Sequence, residues 1–244
     1  MALIREGEPG DGPPQVLLLE RADRAHFAPR AKVFPGGALD PGDRDPRWAQ
    51  IGPRDRRLDP RAGLEFRVAA VRETFEECGV LLGTAEDGGP GPGGPELEAE
   101  RSRWRAGHEP DFFALCRRLR IRPALESLVF VARWVTPEGF MRRFDARFFV
   151  APWPAGQEPE ADPLGESGGW TWADPGDALA RGLRGEWQIL PPTRAVLRLL
   201  ATGRGVQGTL EAARRRRVVT RRPRLEQVTG SRYPGLDRSR LEAP

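Results

Sequence analysis

The chain is poor in lysine, cysteine and long apolar runs, and the last two shortages each exclude a class of protein. Lys32 is the only lysine, so arginine supplies nearly all of the positive charge. The two cysteines, Cys78 and Cys116, have neither the spacing of a zinc site nor the pattern of a disulfide framework. No run approaches the roughly 20 apolar residues of a membrane span, and residues 1–12 lack the apolar core of a secretory signal. We therefore expect a cytoplasmic protein with no membrane partner.

What the chain does contain is typical of one globular domain rich in arginine. Its 244 residues are 39% hydrophobic and 30% charged, which is enough to bury a sizeable core within a single domain spanning residues 1–244. The formal net charge is +4. Because the forked guanidinium of arginine suits phosphate and carboxylate groups, a ligand that carries phosphate fits this composition.

One basic cluster lies near the C-terminus. It consists of residues 214–217, Arg221, Arg222 and Arg224. We interpret it as a solvated helix end that leads into an edge strand, because no aromatic residues alternate with these arginines to stack bases. Nucleic acid is therefore not an expected partner, although this cluster is where such a contact would form.

Hydrophobic periodicity predicts an α/β or α+β fold in which a mixed sheet lies between helices. Strands are expected at residues 15–21, 31–34, 128–134, 144–150 and 170–172. Helices are expected at residues 63–78, 96–105, 111–120, 174–181 and 191–201. Three segments fall outside this pattern: a surface insertion at 44–64, a flexible Gly/Pro loop at 84–95 and a C-terminal extension at 203–244.

The helix expected at 63–78 has one apolar and one acidic side. The apolar side carries Val68, Val71, Phe75 and Cys78. Glu73, Glu76 and Glu77 cluster roughly opposite, and three like charges at close range favour a cation between them. Carboxylate oxygens select Mg²⁺ or Mn²⁺ over softer metals. An acidic helix face is more often simply solvated, so these residues alone leave both interpretations open.

The sequence around this helix end resembles a known motif. Residues 72–80 read Arg-Glu-Thr-Phe-Glu-Glu-Cys-Gly-Val. This resembles the core of the Nudix box, R-E-U-x-E-E-x-G-U with U an apolar residue, and Thr74 is its one soft substitution. The resemblance to Nudix hydrolases favours the metal-binding interpretation of the acidic face.

The other half of a Nudix box is a glycine followed, after five residues, by a glutamate. Here Gly37 is followed after five residues by Asp43, which is acidic but shorter. Between Asp43 and Arg72 lie 28 residues, where the family pattern has seven, so the box contains an insertion of 21 residues. The insertion coincides with the segment at 44–64, which we expect to loop out between the turn and the helix.

The resemblance implies a role for each residue of the box. Glu76 and Glu77 would be the main ligands of Mg²⁺ or Mn²⁺, with Glu73 a further ligand or a helper to the base. The backbone carbonyl of Gly36 would supply another ligand. Arg72 would hold the glutamates in place, which its i, i+4 relation to Glu76 permits.

The general base is expected in a loop distant from the box, as in many Nudix enzymes. Glu166, which precedes Trp170-Thr171-Trp172, is the leading candidate, and Glu138 is the weaker one. An exposed loop glutamate describes Glu166 equally well. With Mg²⁺ neutralising the diphosphate, such a carboxylate would take the proton of the attacking water.

Three stretches outside the box resemble the large-insertion branch typified by the peroxisomal coenzyme A diphosphatase and its bacterial relatives. They are residues 33–41, residues 133–137 followed by 143–149, and residues 190–193. The branch implies hydrolysis of CoA or acyl-CoA to 3′,5′-ADP and (acyl-)phosphopantetheine. Alternatives are ADP-ribose, NADH or nucleoside triphosphates as substrates. A further alternative is a non-catalytic Nudix fold that binds a ligand or nucleic acid. The three retained glutamates argue against it.

The expected partner is thus a small nucleotide-diphosphate substrate, and a homodimer is compatible with the sequence. Arg133, Arg143 and Arg147 lie on or beside expected strands and could line a phosphate-rich pocket. Trp134 or Phe144 could stack an adenine, although aromatic residues in strands are more often part of the core.

Overall fold

The computed structural model describes residues 1–7, 12–23, 25, 28–51, 59–107, 111–136, 143–160 and 167–223. Its strands are β1 (Ala2–Arg5), β2 (Gln15–Arg21), β3 (Lys32–Val33), β4 (Gly83–Ala85), β5 (Ile121–Pro123), β6 (Val129–Val135), β7 (Asp145–Pro152), β8 (Ser167–Ala173) and β9 (Thr220–Arg221). Its α-helices are α1 (Trp48–Ile51), α2 (Leu64–Cys78), α3 (Gly94–Arg105), α4 (Phe112–Arg118), α5 (Pro175–Leu183), α6 (Pro191–Leu200) and α7 (Gly205–Arg215). None of these helices has the length and apolar character needed to cross a bilayer.

Seven of the described strands form one mixed sheet, and β2 pairs with three of them. Val16 pairs with both Ile4 of β1 and Ala173 of β8, so β1 and β8 lie on opposite edges of β2. Leu19 pairs with both Val33 of β3 and Trp170 of β8, so β3 shares the edge with β1. Beyond β1 the sheet continues through β7 and β6 to β9, and the β1–β7 and β6–β9 pairs are parallel.

Alternate residues of the strands project from opposite faces of the sheet and pack into two hydrophobic cores, one on each face. In β2, Leu17 and Leu19 join the core beneath α2, α3 and α4. Val16 and Leu18 join the core beneath α5, α6 and α7. The predicted mixed sheet between helices is therefore confirmed.

The helix predicted at 63–78 is α2, and its ends follow the expected local chemistry. Its apolar side is buried in the first core, as predicted from Val68, Val71, Phe75 and Cys78. Gly79 ends it at φ 69°, a left-handed conformation, and the Gly79 N–H donates to the carbonyl of Phe75 at 2.9 Å. The acidic side of α2 is thereby turned away from the core.

Two segments that we expected to be irregular contain regular structure. Within the insertion, α1 buries Trp48, which is 1% exposed and packs against Phe112 and Phe113. The insertion is therefore not wholly a surface excursion; a large aromatic ring anchors part of it. The Gly/Pro loop at 84–95 begins inside β4, which pairs with β5, and it ends inside α3. Composition alone did not predict these elements, because they are short and flanked by glycine and proline.

Near the two chain ends the sequence indicated less structure than is present. The strand β1 was not predicted, because its run of three apolar residues is short. All three are buried: Leu3 belongs to the first core, and Ala2 and Ile4 belong to the second. In the predicted extension at 203–244, α7 packs on the sheet through Val206, Leu210 and Ala213. The basic cluster at 214–217 stands where α7 ends before the edge strand β9, as predicted.

Candidate active site

Arg72 joins the acidic side of α2 to the turn that precedes the insertion. Its Nε and Nη2 donate to the two carboxylate oxygens of Asp43 at 2.9 and 3.0 Å. Its Nη1 donates to Glu76 at 2.8 Å, and its Nη2 lies 3.0 Å from Glu73. Nη2 also donates to the carbonyl of Ala38 at 2.9 Å. One buried guanidinium thus fixes three carboxylates, and the predicted i, i+4 bond to Glu76 is present.

Asp43 is also fixed by hydrogen bonds and by burial. It lies in a 3-10 turn, Pro41–Arg44, where its carboxylate accepts the N–H of Asp40 at 2.7 Å in a capping box. It is only 2% exposed. A carboxylate so buried requires a charged partner, and Arg72 supplies it. Although aspartate is shorter than glutamate, Asp43 therefore still reaches Arg72. The 21-residue insertion between them does not separate the two halves of the box in space.

The turn after β3 touches Glu77 and also Glu73. Gly36 has φ 145°, a conformation that favours glycine, and its N–H donates to the Glu77 carboxylate at 2.8 Å. A Cβ on Gly37 would collide with the carboxylate of Glu73. The amino group of Met1 donates to the carbonyl of Pro35 in the same turn. Two adjacent glycines thus allow the backbone to lie against the acidic side of α2.

Burial and mutual repulsion perturb the acidic groups of this site. Burial raises the pKa of Glu73 to about 7, and the charge of Glu76 adds to this shift while Arg72 opposes it. Burial likewise raises the pKa of Glu76, again against the effect of Arg72. Burial lowers the pKa of the Met1 amino group to about 6, which the negative charge of Glu77 opposes. The single guanidinium therefore leaves uncompensated negative charge on α2.

The carboxylates of Glu73, Glu76 and Glu77 are suitable ligands for a divalent cation, although they do not converge on one point. No group of three His, Cys, Asp or Glu side chains in the described part of the chain converges closely enough to enclose a metal ion. Arg72 engages Glu73 and Glu76, while the Gly36 amide engages Glu77. Carboxylate oxygens are the ligands that Mg²⁺ and Mn²⁺ prefer, and a cation would oppose the burial and the repulsion from Glu76 that together raise the pKa of Glu73.

A second set of contacts, which the sequence did not reveal, supports the C-terminal end of α2. Arg101 of α3 donates through Nε to the carbonyl of Gly79 at 2.8 Å and through Nη1 to Glu160 at 2.9 Å. The backbone N–H of Glu160 donates to the carbonyl of Cys78 at 3.0 Å. On sequence alone, Arg101 is one of several charged residues of an amphipathic helix, and nothing distinguishes it.

Arg133 and Arg147, predicted to bind substrate, lie near the opposite end of α2. Arg133 forms a two-pronged ion pair with Asp145 at 2.8 and 2.6 Å. The Arg147 guanidinium lies 3.4 Å from the ring centroid of Phe66 and donates to the carbonyl of Arg61 at 3.2 Å. Phe66 precedes Glu76 by ten residues of α2, about 15 Å along the helix axis. The structure thus places these arginines apart from the glutamates, and their binding of substrate stays a prediction.

The remaining predicted residues are placed as follows. Arg143, just before β7, donates to the carbonyl of Thr136 at 3.5 Å. Trp134 packs against the core beneath α5, α6 and α7, on the face of the sheet opposite α2, so it does not lie beside the glutamates. Phe144 is about half exposed. The candidate general bases, Glu166 and Glu138, lie outside the described residues.

Comparison with known proteins supports the motif. The chain matches a family model described as the NUDT19 Nudix domain over residues 60–199. It is 33% identical over 228 residues to the acyl-coenzyme A diphosphatase NUDT19 of Homo sapiens, covering 77% of this chain and 60% of that protein. The protein of the same name from Gallus gallus is 29% identical over 245 residues, covering 78% of this chain and 64% of the relative. The chain thus spans about three fifths of the length of these relatives.

The fold has a counterpart among solved structures. A crystal structure of a NUDIX hydrolase from Alicyclobacillus acidocaldarius superposes with a TM-score of 0.69 at 28% identity. The match covers 86% of this chain and 92% of the other. The similarity therefore extends well beyond the segment that carries the glutamates.

Proposed function

The chain belongs to the NUDT19 Nudix domain family, and on that premise we propose that it is a hydrolase that depends on Mg²⁺ or Mn²⁺ and cleaves the diphosphate linkage of CoA or acyl-CoA. The products would be 3′,5′-ADP and (acyl-)phosphopantetheine. Two relatives carry the name acyl-coenzyme A diphosphatase. Because both are longer than this chain, their activity is carried over here as a proposal.

The observation that carries the proposal is the intact acidic side of α2, braced by Arg72 against Asp43 and by the Gly36 amide. Burial raises the pKa values of Glu73 and Glu76, which is expected of carboxylates arranged to share a cation. A protein that used this surface only as a solvated face would have no need of a buried arginine bound to three carboxylates.

In the proposed mechanism Glu76 and Glu77 would hold the divalent ion, with the Gly36 carbonyl as a further ligand and Glu73 as a ligand or a helper to the base. When bound, the ion supplies charge neutralisation of the diphosphate and acidification of a water molecule. Arg72 orients the carboxylates, because its fork fixes the oxygens of Glu73 and Glu76. Glu166 remains our candidate for the carboxylate that accepts the water proton.

A substrate panel with Mg²⁺ and Mn²⁺, with products identified by mass, tests this proposal. We expect CoA or acyl-CoA to be cleaved to 3′,5′-ADP and the phosphopantetheine half, and a chelator to abolish cleavage. Preference for ADP-ribose, NADH or a nucleoside triphosphate would keep the reaction class but overturn the substrate. Failure of the panel with both metals would favour a non-catalytic binding role.

A further inference from the structure

Trp170 of β8 is a large aromatic residue that remains open to solvent. Its exposed fraction is 38%, whereas its neighbour on the same face, Trp172, is partly buried against the core beneath α2. Side chains two residues apart in a strand project from the same face. Trp170 therefore stands on the face of the sheet that also carries α2.

Strand register places Trp170 close to the acidic site. Leu19 of β2 pairs with Trp170 on one edge and with Val33 of β3 on the other. Two strand spacings, about 10 Å, therefore separate the backbones of Trp170 and Val33. Val33 is two residues before Pro35, where the turn that contacts Glu73 and Glu77 begins. Trp170 therefore lies on the α2 face, two strand spacings from the strand that leads into the turn touching the glutamates.

Trp172, two residues further along β8, is held by several contacts. Trp172 is contacted at its edge by Trp153, with ring centroids 4.9 Å apart and planes at 85°. The guanidinium of Arg5 lies 4.2 Å from the centroid of Trp172. Trp153 is itself tied by its backbone N–H to the carbonyl of Ile4 at 2.7 Å. A strand fixed in this way presents Trp170 without needing to rearrange.

We propose that Trp170 is the platform on which the adenine ring of the nucleotide half of the substrate stacks, one ribose away from the diphosphate held at α2. The inference rests on the proposed function and assigns a subsite to it. A flat indole binds a flat purine through offset stacking, and such stacking is tolerant of small changes in position. The flexible pantetheine arm has no aromatic ring to match it.

This assignment replaces the two aromatic residues that the sequence suggested for the base. Trp134 lies on the opposite face of the sheet, and Arg221 lies over its ring at 5.7 Å. Phe144 precedes β7, the strand in which Asp145 and Arg147 sit near the N-terminal end of α2. Of these three aromatic residues, Trp170 is the one that combines the α2 face with a position two strand spacings from β3, which leads into the turn touching the glutamates.

Calorimetric titration of the full chain with 3′,5′-ADP tests the proposal without requiring catalysis. We expect Trp170→Ala to weaken binding about ten-fold, and Trp170→Leu to weaken it similarly, because leucine is apolar but cannot stack. Trp170→Phe should stay within about three-fold of the parent chain. Leu183→Ala is the matched control, since Leu183 is an exposed apolar residue on α5, which packs on the other face. Binding of 4′-phosphopantetheine should be the same in all variants.

Three results would overturn the inference: no binding of 3′,5′-ADP by the parent chain, parental affinity in Trp170→Ala, or parental affinity in Trp170→Leu. Loss of 4′-phosphopantetheine binding in Trp170→Ala, with 3′,5′-ADP unaffected, would assign the indole to the other half of the substrate and would equally overturn it. A chain that binds 3′,5′-ADP through Trp170 but cleaves no CoA would refute the proposed function and leave this subsite standing.

Discussion

Two buried arginines on α2, five residues apart, show how differently the two halves of this helix are used. Arg67 is 3% exposed and donates through Nη1 to the carbonyls of Leu125 and Leu128 at 2.9 and 2.6 Å. Arg72 is 8% exposed and engages Asp43, Glu73 and Glu76. Residue type, helix and burial are shared, so the partners alone distinguish the two.

The partners also set opposite charge properties. Burial lowers the pKa of Arg67, and the more distant charge of Asp59 only partly opposes it. For Arg72 burial acts in the same direction, but the hydrogen bonds to Asp43 and the charges of Glu73 and Glu76 outweigh it and raise the pKa. Arg67 therefore ties a loop to the N-terminal half of α2, whereas Arg72 organises an acidic cluster on the C-terminal half.

The largest effect that would sharpen this contrast is loss of turnover in Glu77→Gln. Glutamine keeps an oxygen that can accept the Gly36 N–H but removes the negative charge. We expect turnover of CoA to fall at least about a thousand-fold, since a bound ion supplies several kcal/mol of transition-state stabilisation. Glu65→Gln, in the first turn of the same helix, is the matched control. Near-normal turnover in Glu77→Gln would remove Glu77 from the metal shell.

A loss of stability is expected next, from Arg67→Met. Methionine keeps much of the aliphatic stem but leaves two buried carbonyls without a donor, which should lower the free energy of unfolding by about 2–4 kcal/mol. Urea denaturation measures this, and turnover per folded molecule should stay within about two-fold of the parent chain. An unchanged urea midpoint would show that Arg67 is not the structural arginine of α2.

Arg72→Lys should give the converse result. Lysine keeps the charge but cannot bind Asp43 with two parallel hydrogen bonds, so we expect kcat/KM to fall about ten-fold to a hundred-fold with a smaller change in stability. Asp43→Asn should behave similarly, and the double variant should lose less than the product of the two single losses. Fully multiplicative losses would mean that the two residues act independently.

A smaller effect is expected in the pH dependence of stability. Because the pKa of Glu73 is raised from 4.5 to about 7 in the folded chain, the folded state binds this proton more tightly than the unfolded state. Stability of the metal-free protein should therefore fall as pH rises from about 4.5 to about 7. Glu73→Gln should flatten this slope, and so should saturating Mg²⁺. Equal slopes in chelator for Glu73→Gln and the parent chain would contradict the assigned pKa.

Much of the fold could be predicted because periodicity survives in long elements. The helix α2 and the strands β2, β6 and β7 carry their pattern over seven residues or more. The short elements could not be predicted: β1 offers three apolar residues, and α1 owes its burial to Trp48, whose partners Phe112 and Phe113 lie more than 60 positions later. Pairings over such distances leave no local signal.

The candidate site divides in the same way. Spacing within one helix predicted that Glu73, Glu76 and Glu77 share a face and that Arg72 reaches Glu76. The family resemblance aligned Asp43 with the box glutamate across an insertion, whereas its contact with Arg72 was revealed only by the structure. The support from Arg101 and the exposure of Trp170 depend on tertiary packing, so only the structure could reveal them.

Binding of Mn²⁺, followed by electron paramagnetic resonance, tests the central claim most directly, namely that the C-terminal half of α2 gathers divalent ions. We expect the parent chain and Glu65→Gln to bind Mn²⁺ with similar affinity. The double variant Glu76→Gln/Glu77→Gln should bind at least about ten-fold more weakly while remaining folded. Equal affinity in the double variant and the parent chain would contradict the account.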